Sequence, residues 1–215
     1  MKLYGFWRSL ASYRVRVALN LKGIAFEEAP INLLTGAQHS DDYRKVNPQA
    51  VIPALIDGDG PPIFQSMAIL EYLDEKHPNP PLMPKDIRAR ARVRGLAQIV
   101  VADAHPLVVP RIRTYLEKNL ALDEPTRNKW LQTWTAKGLA ALEANLAGNP
   151  ATGRYCQGDT VTIADICVAS QVVGAAFFNV DTKPYPTAVR ILDECMKLDA
   201  FAKSHPLKQP GAPAG

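Results

Sequence analysis

Cysteine is scarce in this chain. It has three, Cys156, Cys167 and Cys195, an odd number, widely spaced and confined to the C-terminal third. That pattern indicates neither a disulfide framework nor a zinc ligand set, so reduced, buried thiols and no metal are expected. Long apolar runs are missing as well: Arg and Lys interrupt each one before it could span a membrane. The opening MKLYGFWRSLASYR lacks the apolar stretch of a secretory signal, so a cytoplasmic protein with no membrane contact is expected. Charge of one sign is in short supply too, with 25 Lys and Arg against 21 Asp and Glu, a net charge of +4. Arg88, Arg90, Arg92 and Arg94 alternate with small or apolar residues, without the dense clusters and interleaved aromatics of a nucleic-acid surface. They read as the wet side of a helix, and the balance favours small anionic ligands over nucleic acid.

What the chain does have is apolar residues, 47% of 215, enough for one large domain or two smaller ones. The stretch from Leu3 to Leu21 organises the rest. A short apolar run, a polar turn and then Val15, Ala18 and Leu19 at helical spacing predict a strand feeding a helix, with Ser9 or Ser12 as the N-cap. A helix start offers unpaired N–H groups and the positive end of the helix dipole, so it favours phosphate, carboxylate or thiolate. Gly23 closes this helix. Residues 25–32 predict a second strand, and 35–42 a polar connection. Residues 47–56 predict a short third strand entered through a proline, where Pro53 could follow a cis bond. Asp57-Gly58-Asp59-Gly60 is a hairpin turn leading to a fourth strand at 62–64, and Ser66 is the expected cap of a helix over 67–73.

The order β-α-β, hairpin, α describes a thioredoxin-like α+β domain over residues 1–80. Disulfide exchange in such a domain needs Cys-x-x-Cys where this chain has Ser9-Leu10-Ala11-Ser12, and a hydroxyl cannot replace the thiol. A proline-dense linker, 77–84, precedes an all-helical domain over 86–215. Helices are expected at 87–104, 111–120, 124–146, 163–178 and 188–204, with a capping box at Thr162 and Asp165 and a frayed tail from Lys208.

In several places, taken in order, the sequence resembles the glutathione transferase family, and within it the zeta-type maleylacetoacetate and maleylpyruvate isomerases. The matching stretches are Phe6-Trp7-Arg8-Ser9 with Arg14 to Leu19, Asn47-Pro48, Ile52-Pro53, Gln65-Ser66 with Ala68-Ile69 and Glu71 to Leu73, and Gly158-Asp159 through Ala164-Asp165. Gln171-Val172, Val180-Asp181 and Pro184-Tyr185-Pro186 complete them. The resemblance implies a glutathione-binding N-terminal domain, an all-helical substrate domain and a homodimer. It implies that Ser9, with Ser12 as the alternative, donates to the glutathione sulfur. Gln65 and Ser66 would hold the γ-glutamyl end, Ile52 and Pro53 the peptide backbone, and Gln49 and His39 the glycyl end. The implied reaction is addition of the glutathione thiolate to the cis double bond of a maleyl diketo acid, rotation about the resulting single bond, and elimination to the trans product. Arg8 and Arg111 would meet substrate carboxylates and the enolate, and His105 would hold glutathione or the enolate.

The chain departs from the family where the substrate pocket is expected. Leu10 and Ala11 replace a serine and a cysteine, Val109 stands where asparagine is frequent, and Phe177 stands where arginine is common. A drier pocket also suits a transferase that conjugates or dehalogenates small electrophiles. A non-catalytic glutathione-binding module is the third reading, opposed by the retention of Arg8, Ser9, Gln65 and Ser66.

Overall fold

The computed structural model describes residues 1–213, and the chain divides into two compact units. The first holds residues 1–81 and is joined by the segment from Lys197 onward; the second runs from Leu82 to Met196. The expected division at 80/86 therefore needs correcting at its far end, because the last stretch leaves the helical unit and packs on α-helix 10–21 of the first.

In the first unit, strands β1 (Lys2–Gly5), β2 (Glu27–Pro30), β3 (Ala54–Ile56) and β4 (Ile63–Phe64) form a sheet in the order β2-β1-β3-β4. β1 and β2 run parallel, and the other two pairs are antiparallel, with Leu3 opposite Leu55 and Ala54 opposite Phe64. Helices α1 (Leu10–Leu21), α2 (Asp41–Val46) and α3 (Ser66–Lys76) complete the layer structure. Leu3, Leu55, Val17, Leu19, Ile69, Leu70 and Leu73 are fully buried and make its core. Three strands are shorter than expected, because pairing ends where Pro30, Pro53 and Pro62 remove donors. The polar segment hides a helix: Ser40 caps α2, whose one buried side chain is Tyr43, too little periodicity to register in sequence. Gly23, at φ +66, closes α1, and Gly58, at φ +60, makes the hairpin turn. Ile52–Pro53 is cis.

In the second unit α4 (Ile87–Gln98) widens into a π-helical stretch over Ile99–Ala104, followed by a 3-10 turn at His105–Leu107. α5 (Pro110–Lys118), α6 (Glu124–Leu146), α7 (Ile163–Phe177) and α8 (Pro186–Met196) follow. α7 is buried from Ile163 through Ala175, and α4, α6 and α8 pack around it. Its start is fixed by Asp165, which accepts the N–H groups of Cys156 and Thr162 and the Thr162 hydroxyl, all at 2.7 Å. Burial pushes this carboxyl upward, against the hydrogen bonds that favour the anion. Arg92 is no solvated side chain: it donates to the carbonyls of Cys156 and Asn145 and to Gln157 and Thr152. The helix expected over 188–204 is two, α8 and α9 (Asp199–Ser204), and the break marks the return to the first unit. The tail expected to fray from Lys208 instead continues from a 3-10 turn, with Ala212 N–H donating to the Gln209 carbonyl; the final two residues lie outside the described part. All three cysteines are buried and outside any disulfide, and among the described residues no helix is long and apolar enough to cross a membrane.

Candidate active site

The β1–α1 connection settles which serine caps. Ser9 is the N-cap, and its Oγ accepts the Ser12 N–H at 3.1 Å. Its own N–H donates to the Phe6 carbonyl at 3.0 Å and its carbonyl accepts from Tyr13 at 2.8 Å, so the residue is held on three sides. A hydroxyl that accepts a helix N–H keeps its proton for another acceptor, and the accepted bond polarises it further. Ser9 is half-buried and available for such use. Ser12 is not: it is fully buried, and its Oγ accepts the Phe6 N–H at 3.4 Å. That burial is the physical reason against the alternative of Ser12 as sulfur donor. α1 carries no acidic residue in its first turn, so nothing cancels the positive end of its dipole. Arg8 beside it is half-buried and engaged in interactions of its own. Leu10 and Ala11, the first helical residues, are buried at 6% and 8% exposure.

The start of α3 makes a second anion-favouring site of different construction. Gln65 is the N-cap, not Ser66, and it makes no side-chain cap. It sits at φ +70, ψ 119, a conformation costing on the order of 1–3 kcal/mol for a residue with a side chain. Its Nε2 donates to Gln49 Oε1 at 2.9 Å, which brings two of the expected glutathione residues together. Ser66 is the first helical residue and buried; its Oγ accepts from Arg14 Nε at 3.1 Å and keeps its proton to give away. Here too the first turn holds no acid.

Between α1 and α3 in the chain, the segment before β3 bends at Ile52. The Val51 carbonyl accepts from both the Tyr43 hydroxyl and Asn47 Nδ2 at 2.7 Å. Burial raises the Tyr43 pKa, which keeps that hydroxyl a donor. No hydrogen bond within the described residues engages the Ile52 main chain, so its N–H and C=O can pair with an added extended peptide. His39 ends a 3-10 turn, exposed, with its ring nitrogen 3.2 Å from Gln38 Nε2 and no hydrogen bond to Gln49 or Gln65 among the described residues. In the helical unit, His105 starts the 3-10 turn after the π-helical stretch, Val109 is the half-buried N-cap of α5, Arg111 is exposed in its first turn, and Phe177 ends α7 half-buried.

Two residues escaped assignment from sequence: Arg14 and Arg16, at 2% and 1% exposure. Their signal was available, since they alternate with Val15 and Val17 on a largely apolar helix and a charge on a buried face is seldom kept unless it is paired.

Residues 1–75 match the family model described as Glutathione S-transferase, N-terminal domain. Maleylpyruvate isomerase of a Ralstonia species is 45% identical over 210 residues, 98% of this chain and 99% of that protein. The crystal structure of maleylacetoacetate isomerase from Methylobacterium extorquens AM1 with bound malonate and GSH is 52% identical, covers all of both chains and superposes with a TM-score of 0.98. A maleylacetoacetate isomerase from Anaeromyxobacter dehalogenans 2CP-1, with dicarboxyethyl glutathione and citrate in the active site, is 36% identical over 99% of this chain and 97% of that one, TM-score 0.86. With such identity along its whole length, the chain belongs to the glutathione S-transferase family, in the zeta class of maleylpyruvate and maleylacetoacetate isomerases.

Proposed function

We propose that the protein is a glutathione-dependent isomerase that turns the cis double bond of a maleyl diketo acid, maleylacetoacetate or maleylpyruvate, to trans. Glutathione is the cofactor, and the first unit is built to fit it: two helix starts without acids, a segment before β3 whose Ile52 main chain is unengaged among the described residues, and two serine hydroxyls with protons to donate. When bound, glutathione supplies a thiolate able to add reversibly to the double bond, so that the bond can turn before the sulfur leaves. The Ser9 hydroxyl donates a hydrogen bond to the sulfur and, with the α1 dipole, keeps it ionised near neutral pH. A free thiol titrates near about 8.5, and ~2 kcal/mol of preference for the anion lowers that by about 1.5 units. Ser66 and the N–H groups opening α3 take the γ-glutamyl carboxylate. Gln65 and Gln49 hold polar groups of the tripeptide, and Ile52 pairs with its backbone. Arg8, next to Ser9, receives the negative charge that addition pushes onto the substrate. In the helical unit His105 and Arg111 have the chemistry suited to an anionic substrate.

The observation that carries this reading is the half-buried Ser9 hydroxyl at the start of α1, engaged as an acceptor by its own helix and keeping its proton to donate. The malonate and the dicarboxyethyl adduct bound by the two relatives support a dicarboxylic substrate and sulfur addition. We place the protein in the cytoplasm, in the breakdown of aromatic compounds, and as a homodimer. The test follows isomerisation of maleylacetoacetate and maleylpyruvate together with free thiol. Many turnovers per glutathione with none consumed are expected; one glutathione lost per product would make the protein a conjugating transferase, the reading that Leu10, Ala11, Val109 and Phe177 favour.

A further inference from the structure

The sulfur-facing hydroxyl is only as well placed as the loop that carries it, and one buried side chain grips that loop. Arg16 lies on α1 seven residues after Ser9, hence almost directly above it on the same face, and a helical side chain leans back toward the N-terminus. It is 1% exposed. Its Nη2 donates to the Phe6 carbonyl at 2.8 Å and reaches the Trp7 carbonyl at 3.5 Å. Nη1 donates to the Ser204 carbonyl at 3.2 Å, and Nε to both oxygens of Glu28 at 2.9 and 3.2 Å. The Phe6 carbonyl is also the acceptor of the Ser9 N–H, and the Phe6 N–H is taken by Ser12. The main chain of Phe6 is thus held at both its N–H and its C=O, three residues ahead of the one that must present its hydroxyl.

The other end of the clamp is the C-terminal segment. Asn20 Nδ2 donates to Ser204 Oγ at 2.8 Å, the His205 ring sits edge-on to Tyr13 with centroids 6.4 Å apart, and Gly211 lies against Trp7. We infer that Arg16 is a positioning residue for the sulfur site: its planar guanidinium ties the C-terminal segment to the carbonyls of Phe6 and Trp7 and thereby fixes the loop that aims Ser9. A planar fork can hold three partners in set directions at once, which an ammonium cannot. Stabilisation of an anion by a fixed donor depends on that donor not having to reorganise, so a loosened loop weakens the hydroxyl's hold on sulfur while leaving the Gln65–Ser66 end intact.

The inference rests on the proposed role of Ser9, and the experiment separates the two. The thiolate absorbance of bound glutathione is titrated against pH in wild type, Arg16→Lys, Ser9→Ala and the double variant, with glutathione affinity from calorimetry and folding from circular dichroism. If wild type shows no thiolate on adding glutathione, the reading of the site fails before any variant is compared. In Arg16→Lys the thiol pKa is expected to rise by about one unit, a tenfold loss of thiolate below both values, with affinity within about threefold. In the Ser9→Ala background the same change should move the pKa by less than about 0.3 unit, because an effect exerted through Ser9 has nothing left to act on. An unmoved pKa in folded Arg16→Lys, or a full shift without Ser9, overturns the inference. Should Arg16→Lys not fold, Asn20→Ala loosens the same segment from the Ser204 side; a rise of about half a unit that disappears with Ser9→Ala is expected, and no rise overturns it.

Discussion

Helices α1 and α3 both open beside a serine, and the two serines are used in different ways. Ser9 stands before its helix and accepts that helix's own N–H, which spends a lone pair locally and leaves the proton to donate. Ser66 stands inside its helix, and its lone pair goes to Arg14, a side chain from the other helix. The cap position of α3 is filled by a left-handed Gln65 that caps nothing and reaches Gln49 instead. A hydroxyl outside the helix can work on a group that changes charge during a reaction. One within the first turn, beside unpaired N–H groups, suits a charge that stays constant, such as a carboxylate. On the proposed reading, that difference separates a reacting end of the site from a holding end.

The largest expected effect that would break this division is at the holding end. Ser66→Ala removes a hydrogen bond to a charged group, worth about 2 kcal/mol, so glutathione affinity should fall about 30-fold while the thiol pKa of bound glutathione stays put. Calorimetry and thiolate absorbance measured together check it. At the reacting end Ser9→Ala should lower turnover at least ~tenfold and raise the thiol pKa with affinity changed less than about threefold; unchanged rates would leave the task to the helix dipole alone. Gln65→Gly relieves the left-handed strain and removes the link to Gln49. The variant should gain about 1 kcal/mol in denaturant unfolding and lose about threefold in glutathione affinity, the sign of a conformation kept for binding and not for folding.

The smallest effect concerns α1 alone, since only α1 is backed by the C-terminal segment through His205 and Tyr13. Burial, then repulsion from Lys208, holds the His205 pKa below its ordinary value. The unfolded chain therefore takes up this proton first, so the contribution to stability is whole above the unfolded value near about 6.5 and is lost as pH falls below it. His205→Asn should flatten that part of a stability-against-pH curve measured by denaturant unfolding.

Much of this was legible from residue types and spacing. Glycines with a required left-handed conformation marked the end of α1 and the hairpin, the Thr162–Asp165 box marked α7, and long periodic segments such as α6 showed their full extent. The missing Cys-x-x-Cys removed disulfide exchange by chemistry alone. α2 was not legible, because one buried tyrosine makes no period, and neither was the break between α8 and α9, because apolar spacing continues across it while the packing partner changes.

The sequence by itself determined the chemistry on offer, hydroxyls at helix starts with no thiol of the protein's own, because which groups can donate or ionise is a property of residue types. Tertiary structure alone decided which hydroxyl is free. Ser9 and Ser12 are equals in sequence, and only the folding of Phe6 back onto α1 buries one and leaves the other half-exposed. It also decided that Arg14 and Arg16 face inward as tethers, since a buried charge finds its partners through contacts between residues as distant as Arg16 and Ser204, which no local pattern records.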